Sequence, residues 1–297
     1  MDVLLIGGCG YIGSSLFNHL KERYNVQTVD LEWYGNFVNP HNTIKDFAKL
    51  TKNDLGDFDV IVLLAGHSSV QSCKDNRMPS FENNLHNFVS LLDKIWDHQR
   101  FIYASSSSIY GNKRMAKEEE SCYVPQNYYD LTKRAIDLYA MLSHLDWYGL
   151  RFGTVNGPSP NLRAELMLNK MYRSGREDGI VKISNPQIAR PILGIHDLCA
   201  GVERIIETPA KYPGIYNLAS FNGTVESMAQ AVADITKAKV EVMPGPPSYD
   251  FSICTGLFSE TYKFEFKDTV QSIVASLDRH WSDCHLTTRE RQQEYEI

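Results

Sequence analysis

The sequence predicts an α/β fold, a doubly wound parallel sheet with a smaller C-terminal lobe interleaved with it. Three observations carry this expectation. Through the first half of the chain, short apolar runs alternate with segments of helical period. A glycine-rich turn joins the first apolar run to the first helical segment. After Gly157-Pro158-Ser159-Pro160 the alternation gives way to charged and proline-bounded segments before a strand-like run returns.

Taken in order, Val3–Ile6 reads as a buried strand, Tyr11–Glu22 as a helix and Val26–Val29 as a second strand. Asp59–Leu64 is another strand, bounded by Gly56-Asp57 and Ala65-Gly66. In Asn83–Asp97 the apolar residues Leu85, Phe88, Leu91, Leu92, Ile95 and Trp96 fall at helical spacing. Arg100–Ala104 is a strand that runs into four serines, Tyr128–His144 a helix and Trp147–Phe152 a strand. Beyond residue 160 the pattern gives a helix at Arg163–Arg173 and a proline-bounded segment at Ile188–Ile195. Helix Asp197–Ile206 and strand Gly214–Leu218 look like a return to the sheet. Helix Val225–Thr236, strand Val240–Met243 and a loop at Pro244–Pro247 follow. The expected division is residues 1–158 with 195–222 as one lobe, 159–194 with 223–282 as the other, and 283–297 as a polar tail.

The 297 residues are enough to bury a full core, and a chain 43% hydrophobic and 22% charged is neither disordered nor fibrous in composition. Net charge is −6 and no basic block exceeds Asn112-Lys113-Arg114, which argues against a nucleic-acid partner. No apolar run reaches membrane-spanning length and no secretory signal is visible, so no membrane partner is expected. The cysteines Cys9, Cys73, Cys122, Cys199, Cys254 and Cys284 lack C-x-x-C or other metal-ligand spacing. Reduced thiols, a cytoplasmic location and no metal are the expectations.

The glycines of Gly7-Gly8-Cys9-Gly10-Tyr11-Ile12-Gly13 follow the pattern G-x-x-G-x-x-G at 7, 10 and 13, after a strand and at the start of a helix. There the backbone must turn sharply and approach a pyrophosphate with no side chain between, while the helix N-terminus offers N–H groups to the anion. This is the start of a Rossmann-type dinucleotide lobe. Asp30 ends the second strand at about the expected spacing, placed to accept the ribose hydroxyls of NAD and to repel the extra phosphate of NADP. Asp46 lies either near the adenine or in a solvated turn. Leu64-Ala65-Gly66 is a small-residue strand exit suited to close passage of the cofactor.

Tyr129 and Lys133 lie four apart on a helix, so phenol and ammonium share a face, and the cation is expected to lower the phenol's pKa. The run Ser105-Ser106-Ser107-Ser108 leaves a strand about twenty residues upstream, at the edge where open α/β sheets bind ligands.

Together these residues resemble the extended short-chain dehydrogenase/reductase family, in particular its nucleotide-sugar epimerases and dehydratases. The motifs are Gly7–Gly13, Leu64-Ala65-Gly66, Tyr103–Gly111, Tyr129-x-x-x-Lys133, Leu150–Pro158, and Arg190 through His196-Asp197. The resemblance implies an NAD-dependent enzyme with a nucleotide-sugar under the C-terminal lobe. It assigns Ser106, Tyr129 and Lys133 as the catalytic set, and Asn83 and Ala104 as further cofactor contacts. Substrate contacts would come from Ser106, Ser107, Thr154, Arg163, Asn169, Arg190 and Asp250. It also implies a homodimer through the Asn83–Asp97 and Tyr128–His144 helices. Sugar 4,6-dehydratases of the family carry Asp-Glu where this chain has Ser107-Ser108, so dehydration is disfavoured. The epimerases place Asn at the position of Thr154, and the segment Pro247-Ser248-Tyr249-Asp250 lacks the family's arginine. The expectation is a 4-epimerase, with a net sugar oxidoreductase as the alternative and a non-catalytic NAD-binding regulator as a third reading.

Overall fold

A computed structural model of the protein describes residues 1–120 and 124–286. Cys122 and residues 287–297 of the expected tail lie outside the described residues. The first half supplies strands β1 (Asp2–Ile6), β2 (Asn25–Asp30), β3 (Asn42–Ile44), β4 (Val60–Leu63), β5 (Arg100–Ser106) and β6 (Asp146–Phe152). The second supplies β7 (Thr154–Asn156), β8 (Asn161–Leu162), β9 (Ile180–Ile183), β10 (Ala189–Gly194), β11 (Gly214–Leu218), β12 (Phe221–Thr224), β13 (Lys239–Val242) and β14 (His285–Leu286).

Seven strands form one parallel sheet in the order β11-β6-β5-β4-β1-β2-β3. Alternate side chains of a strand point to opposite faces, and the core divides accordingly. Val3, Leu5, Val60 and Val62 join one buried cluster, whereas Leu4, Ile6, Ile61 and Leu63 join the other. Both faces of the sheet are covered, which is why these strands read as unbroken apolar runs. A smaller sheet of order β12-β10-β7 stands beside the large one. Strand β11, separated from β6 by more than sixty residues of sequence, returns to the main sheet at its edge with Gly214 opposite Tyr148.

The helices are α1 (Tyr11–Leu20), α2 (Lys52–Leu55), α3 (Val70–Asp75), α4 (Arg77–Phe81), α5 (Asn87–Leu92), α6 (Tyr128–Ala140), α7 (Met167–Asp178), α8 (Ile195–Glu207), α9 (Val225–Thr236), α10 (Gly256–Tyr262) and α11 (Val270–His280). Three features differ from the sequence expectation. Strand β3 has only three residues, Asn42-Thr43-Ile44, largely exposed, and gives no apolar run to read. The helix expected at 83–97 is a π turn at Glu82–His86 followed by α5, which ends at Leu92, and it is preceded by the separate α4 at Arg77–Phe81. Helix α7 starts at Met167 and ends at a left-handed Gly179, so Arg163 lies in the loop before it. Among the described residues no helix is long and apolar enough to cross a membrane.

Candidate active site

The carboxyl ends of β1, β2, β4 and β5 open along one edge of the sheet, where ligands of such folds bind. At the end of β1, Gly7 has φ +92°, and a Cβ there would stand 2.5 Å from Ala65 N. A Cβ on Gly13 would stand 2.1 Å from Gly7 O, so the turn and the first helical residues close to a distance no side chain tolerates. No side chain caps α1 at Gly10, and the first-turn N–H groups of Tyr11, Ile12 and Gly13 are free of a competing acceptor from a cap. The Tyr11 hydroxyl anchors this helix by donating to Gly157 O at 2.8 Å.

Asp30 closes β2 beside the turn. Its Oδ2 accepts from Cys9 N at 3.0 Å and its Oδ1 from Glu32 N at 2.8 Å, which fixes the carboxylate while leaving further lone pairs. Burial raises its pKa, the two backbone donors oppose that, and the nearby Glu32 carboxylate adds to the rise. A cradle without Cβ atoms, an uncapped helix start and two carboxylates beside it fit a dinucleotide with free ribose hydroxyls and disfavour a 2′-phosphate. Asp30→Ala is expected to cost about 2 kcal/mol of NAD binding, roughly thirtyfold in Kd, and to ease NADP entry. Titration calorimetry with both nucleotides checks this, and an unaltered preference for NAD would remove Asp30 from the ribose.

The remaining cofactor-side residues fall around this edge. Asp46 follows β3 and caps a short turn by accepting from Ala48 N at 3.0 Å. Leu64 and Ala65 donate their N–H groups to Ile6 O, holding the β4 exit against β1. Gly66, at φ +142°, would bring a Cβ within 2.7 Å of Asn84 Oδ1. Asn83, expected as a cofactor contact, is half-buried on the π turn one residue away. The buried asparagine facing the β4 exit is Asn84, which accepts from His67 N at 2.8 Å and donates to His67 O at 3.0 Å and Thr132 Oγ1 at 3.3 Å. The π turn spans these positions and sets which asparagine faces inward.

Ser106 ends β5, and its Oγ accepts from Ser108 N at 3.3 Å as the chain enters a short turn. Helix α6 starts at an Asn127 cap, and Tyr129 and Lys133 share its inward face. Lys133 Nζ donates to Ala104 O at 2.7 Å and lies 5.9 Å from the Tyr129 ring centre. Burial pulls Lys133 down to about 8. Burial also pushes Tyr129 up to about 12, opposed by a hydrogen bond with Ser106, although part of the residue faces the cleft. Desolvation, rather than the expected lowering by Lys133, therefore sets the direction of the phenol's shift.

In the second, smaller sheet, Arg190 on β10 is 8% exposed. Its Nη2 donates to Ser248 Oγ at 2.6 Å and its Nη1 to Ala189 O at 3.2 Å, and the guanidinium lies 5.3 Å from the Phe251 ring. These partners are neutral, which suits a buried cation kept for a phosphate. Thr154 lies on β7, partly exposed, opposite Ile192 of β10.

The other expected substrate contacts are committed elsewhere. Asp250 holds Arg114 through both carboxylate oxygens at 2.9 Å and accepts from Ala189 N. Asn169 is fully buried, accepting from Gly157 N at 2.9 Å and donating to Arg163 O at 3.0 Å, because the turn after β7 needs those partners. Ser107 donates to Phe152 O at 2.7 Å, turned away from Ser106 by the alternation along the strand end. Arg163 pairs with Glu165 at 2.8 Å and reaches Ser68 Oγ at 3.2 Å, joining the loop before α7 to the segment after β4. Asp130, buried beside Tyr129, and Asn84 were not singled out by sequence; a polar residue in an Asn-x-x-Asp helix start was the signal for the former.

Residues 3–219 match the NAD dependent epimerase/dehydratase family. The ADP-L-glycero-D-manno-heptose-6-epimerase of Alkalilimnicola ehrlichii is 25% identical over 276 residues, covering 82% of this chain and 84% of that protein. The fold is shared with the UDP-glucuronic acid 4-epimerase of Bacillus cereus, solved with UDP-glucuronic acid and NAD, at 20% identity and a TM-score of 0.81 over 99% of this chain and 100% of that one. The UDP-glucose 4-epimerase of Thermus thermophilus, solved with NAD, superposes with a TM-score of 0.80 at 22% identity over 95% and 99% of the two chains. With the glycine turn, Asp30 and the Ser/Tyr/Lys edge in place and most of its length matched, the chain belongs to the NAD dependent epimerase/dehydratase family.

Proposed function

We propose that the protein is a nucleotide-sugar 4-epimerase that oxidises and re-reduces one sugar hydroxyl while NAD stays bound. The observation that supports this most is the meeting of Ser106 and Tyr129 at the carboxyl end of β5, with Lys133 one turn further along α6 on the Ala104 carbonyl. Bound NAD supplies the hydride acceptor and donor. Tyr129 takes the hydroxyl proton and later returns it, Ser106 holds the reacting oxygen, and Lys133 fixes the strand end and presents a positive charge to the cofactor side. Arg190 binds the diphosphate, which keeps the sugar over the catalytic pair while the oxidised ring turns. Neither Ser107 nor Ser108 carries a carboxylate, which favours epimerisation over loss of water.

The experiment is to incubate the protein with UDP-, GDP-, dTDP- and CDP-sugars and follow products by mass and sugar stereochemistry. A mass-neutral change of configuration at C4 is expected. Loss of two hydrogens with stoichiometric NADH would instead make it a net oxidoreductase, and loss of water a dehydratase.

The outward face of α6 supports a homodimer. Leu131, Leu138 and Leu142 lie on one face of it or its continuation, and Met78 and Phe81 of α4 are exposed nearby. Such a stripe is covered in a stable soluble protein. Leu138→Asp is expected to halve the mass seen by sedimentation, and an unchanged mass would place the interface elsewhere.

A further inference from the structure

Two loops that leave the sheet on either side of the glycine turn meet each other beyond it. Strand β1 lies between β2 and β4, so the exits of those two strands stand about 10 Å apart with the end of β1 between them. Both exits touch the turn. Asp30 at the end of β2 accepts from Cys9 N at 3.0 Å, and a Cβ on Gly7 would stand 2.5 Å from Ala65 N after β4. A few residues further along each loop, the rings of Trp33 and His67 come together, 6.1 Å between centres and tilted by 57°. The contacts close a circuit that runs from the turn to the β4 exit, His67, Trp33, the β2 exit and back to the turn.

The two sides of this bridge are held unequally. His67 N donates to Asn84 Oδ1 at 2.8 Å, His67 O accepts from Asn84 Nδ2 at 3.0 Å, and its Nδ1 lies 2.9 Å from Ser72 Oγ. The next residue, Ser68, accepts from Arg163 Nη1 at 3.2 Å, which braces this side against the loop before α7. Burial lowers the His67 pKa, so at neutral pH the ring meets Trp33 as an uncharged imidazole, by packing. Trp33 is 38% exposed, on the loop of residues 31–41 between β2 and β3. Glu32 at φ +59° and Gly35 at φ +101° bracket it. A glutamate in the left-handed region is strained, and such positions absorb a change in backbone direction. His67 is thus the fixed side and Trp33 the side that can swing.

We propose that Trp33 and His67 are a clasp across the cofactor groove, which opens to admit NAD and, once shut, holds it against exchange. The inference deepens the reading that NAD stays bound through the cycle, and it rests on that reading for the clasp's purpose. A dinucleotide with its pyrophosphate on the glycine turn and its ribose at Asp30 has to pass the bridge between the two exits. The bridge is made of two protein rings, so it resists entry and exit alike. An aromatic pair of this kind slows opening by up to about tenfold. The clasp sets how fast cofactor exchanges and takes no part in proton or hydride transfer.

Release is followed as loss of labelled NAD from the loaded protein into excess unlabelled NAD. Titration of the nucleotide-free protein gives Kd, and the two together give the entry rate. Trp33→Ala and His67→Ala are each expected to speed release about tenfold with Kd within about threefold of the unaltered protein, so that entry speeds up in step. The double variant is expected to match the faster single one, because both break one contact. Trp33→Phe keeps a ring and is expected to restore most of the slow release. Should His67→Ala fail to fold, the two Trp33 variants decide. Release from Trp33→Ala within about twofold of the unaltered rate would overturn the clasp. So would faster release with an equal rise in Kd, which makes Trp33 a simple cofactor contact, or rates that multiply in the double variant. These measurements need no sugar. Net consumption of NADH in the nucleotide-sugar panel, beside the expected exchange rates, would remove the epimerase reading and leave the clasp as a brake on cofactor release.

Discussion

Tyr129→Phe is expected to lower turnover by a factor of about 10²–10⁴ while NAD affinity stays within about twofold of the unaltered protein. The substitution keeps the ring, its packing on α6 and the 5.9 Å separation from Lys133 Nζ, and deletes only the hydroxyl that meets Ser106. Lys133 keeps its hydrogen bond to Ala104 O, so the cofactor side of the site is undisturbed. Steady-state turnover and NAD titration on the same sample separate the two readouts. Turnover within about threefold of normal would remove Tyr129 from proton transfer.

The second large effect concerns stability. Beneath the active-site edge, Arg151 of β6 and Asp137 of α6 form an ion pair at 2.8 Å with side chains 2% and 1% exposed. Arg151 also donates to Tyr110 OH at 2.6 Å and Glu118 O at 3.1 Å, and Tyr103 OH donates to the second Asp137 oxygen at 3.2 Å. Asp137→Ala would strand a buried guanidinium and the Tyr103 hydroxyl together. The expected loss is about 3–5 kcal/mol, most of it the cost of the unpaired charge rather than the worth of the pair. Urea unfolding followed by far-ultraviolet dichroism measures it. Replacing both partners with apolar residues of similar volume is expected to cost much less, and equal losses in the two cases would contradict the unpaired-charge account.

The parallel sheet was legible because its strands are buried on both faces and so appear as uninterrupted apolar runs, as in Val3–Ile6 and Val60–Leu63. Strand β3 was not, since an exposed three-residue edge strand has neither alternation nor an apolar run. In the site, the glycine spacing and Tyr129-x-x-x-Lys133 are local patterns, set by turn and helix geometry, and sequence spacing reports them directly. Residues that act across the cleft obey no such spacing. Asn83 and Asn84 are adjacent in sequence, and only the phase imposed by a π turn separates them. Asn169 and Asp250 look like free polar side chains until the turn at Gly157 and the loop carrying Arg114 are seen to use them. The phenol's pKa follows the same rule, because burial at Tyr129, which spacing does not report, sets the direction of its shift.

The late return of β11 to the sheet has a consequence for dissecting the protein. The Asn217 side chain accepts from Tyr110 OH at 2.8 Å and donates to Ala116 O at 3.0 Å, and its backbone N–H donates to the Glu118 carboxylate at 2.8 Å. A fragment cut after residue 158 would hold every nucleotide-side residue named above, yet leave the β6 edge bare from Tyr148 to Phe152. An unpaired, apolar strand edge invites pairing between chains. Such a fragment is a poor minimal module for cofactor studies, whereas shortening the polar end would leave that edge covered. The parallel sheet is thus completed by a strand more than sixty residues of sequence beyond its neighbour.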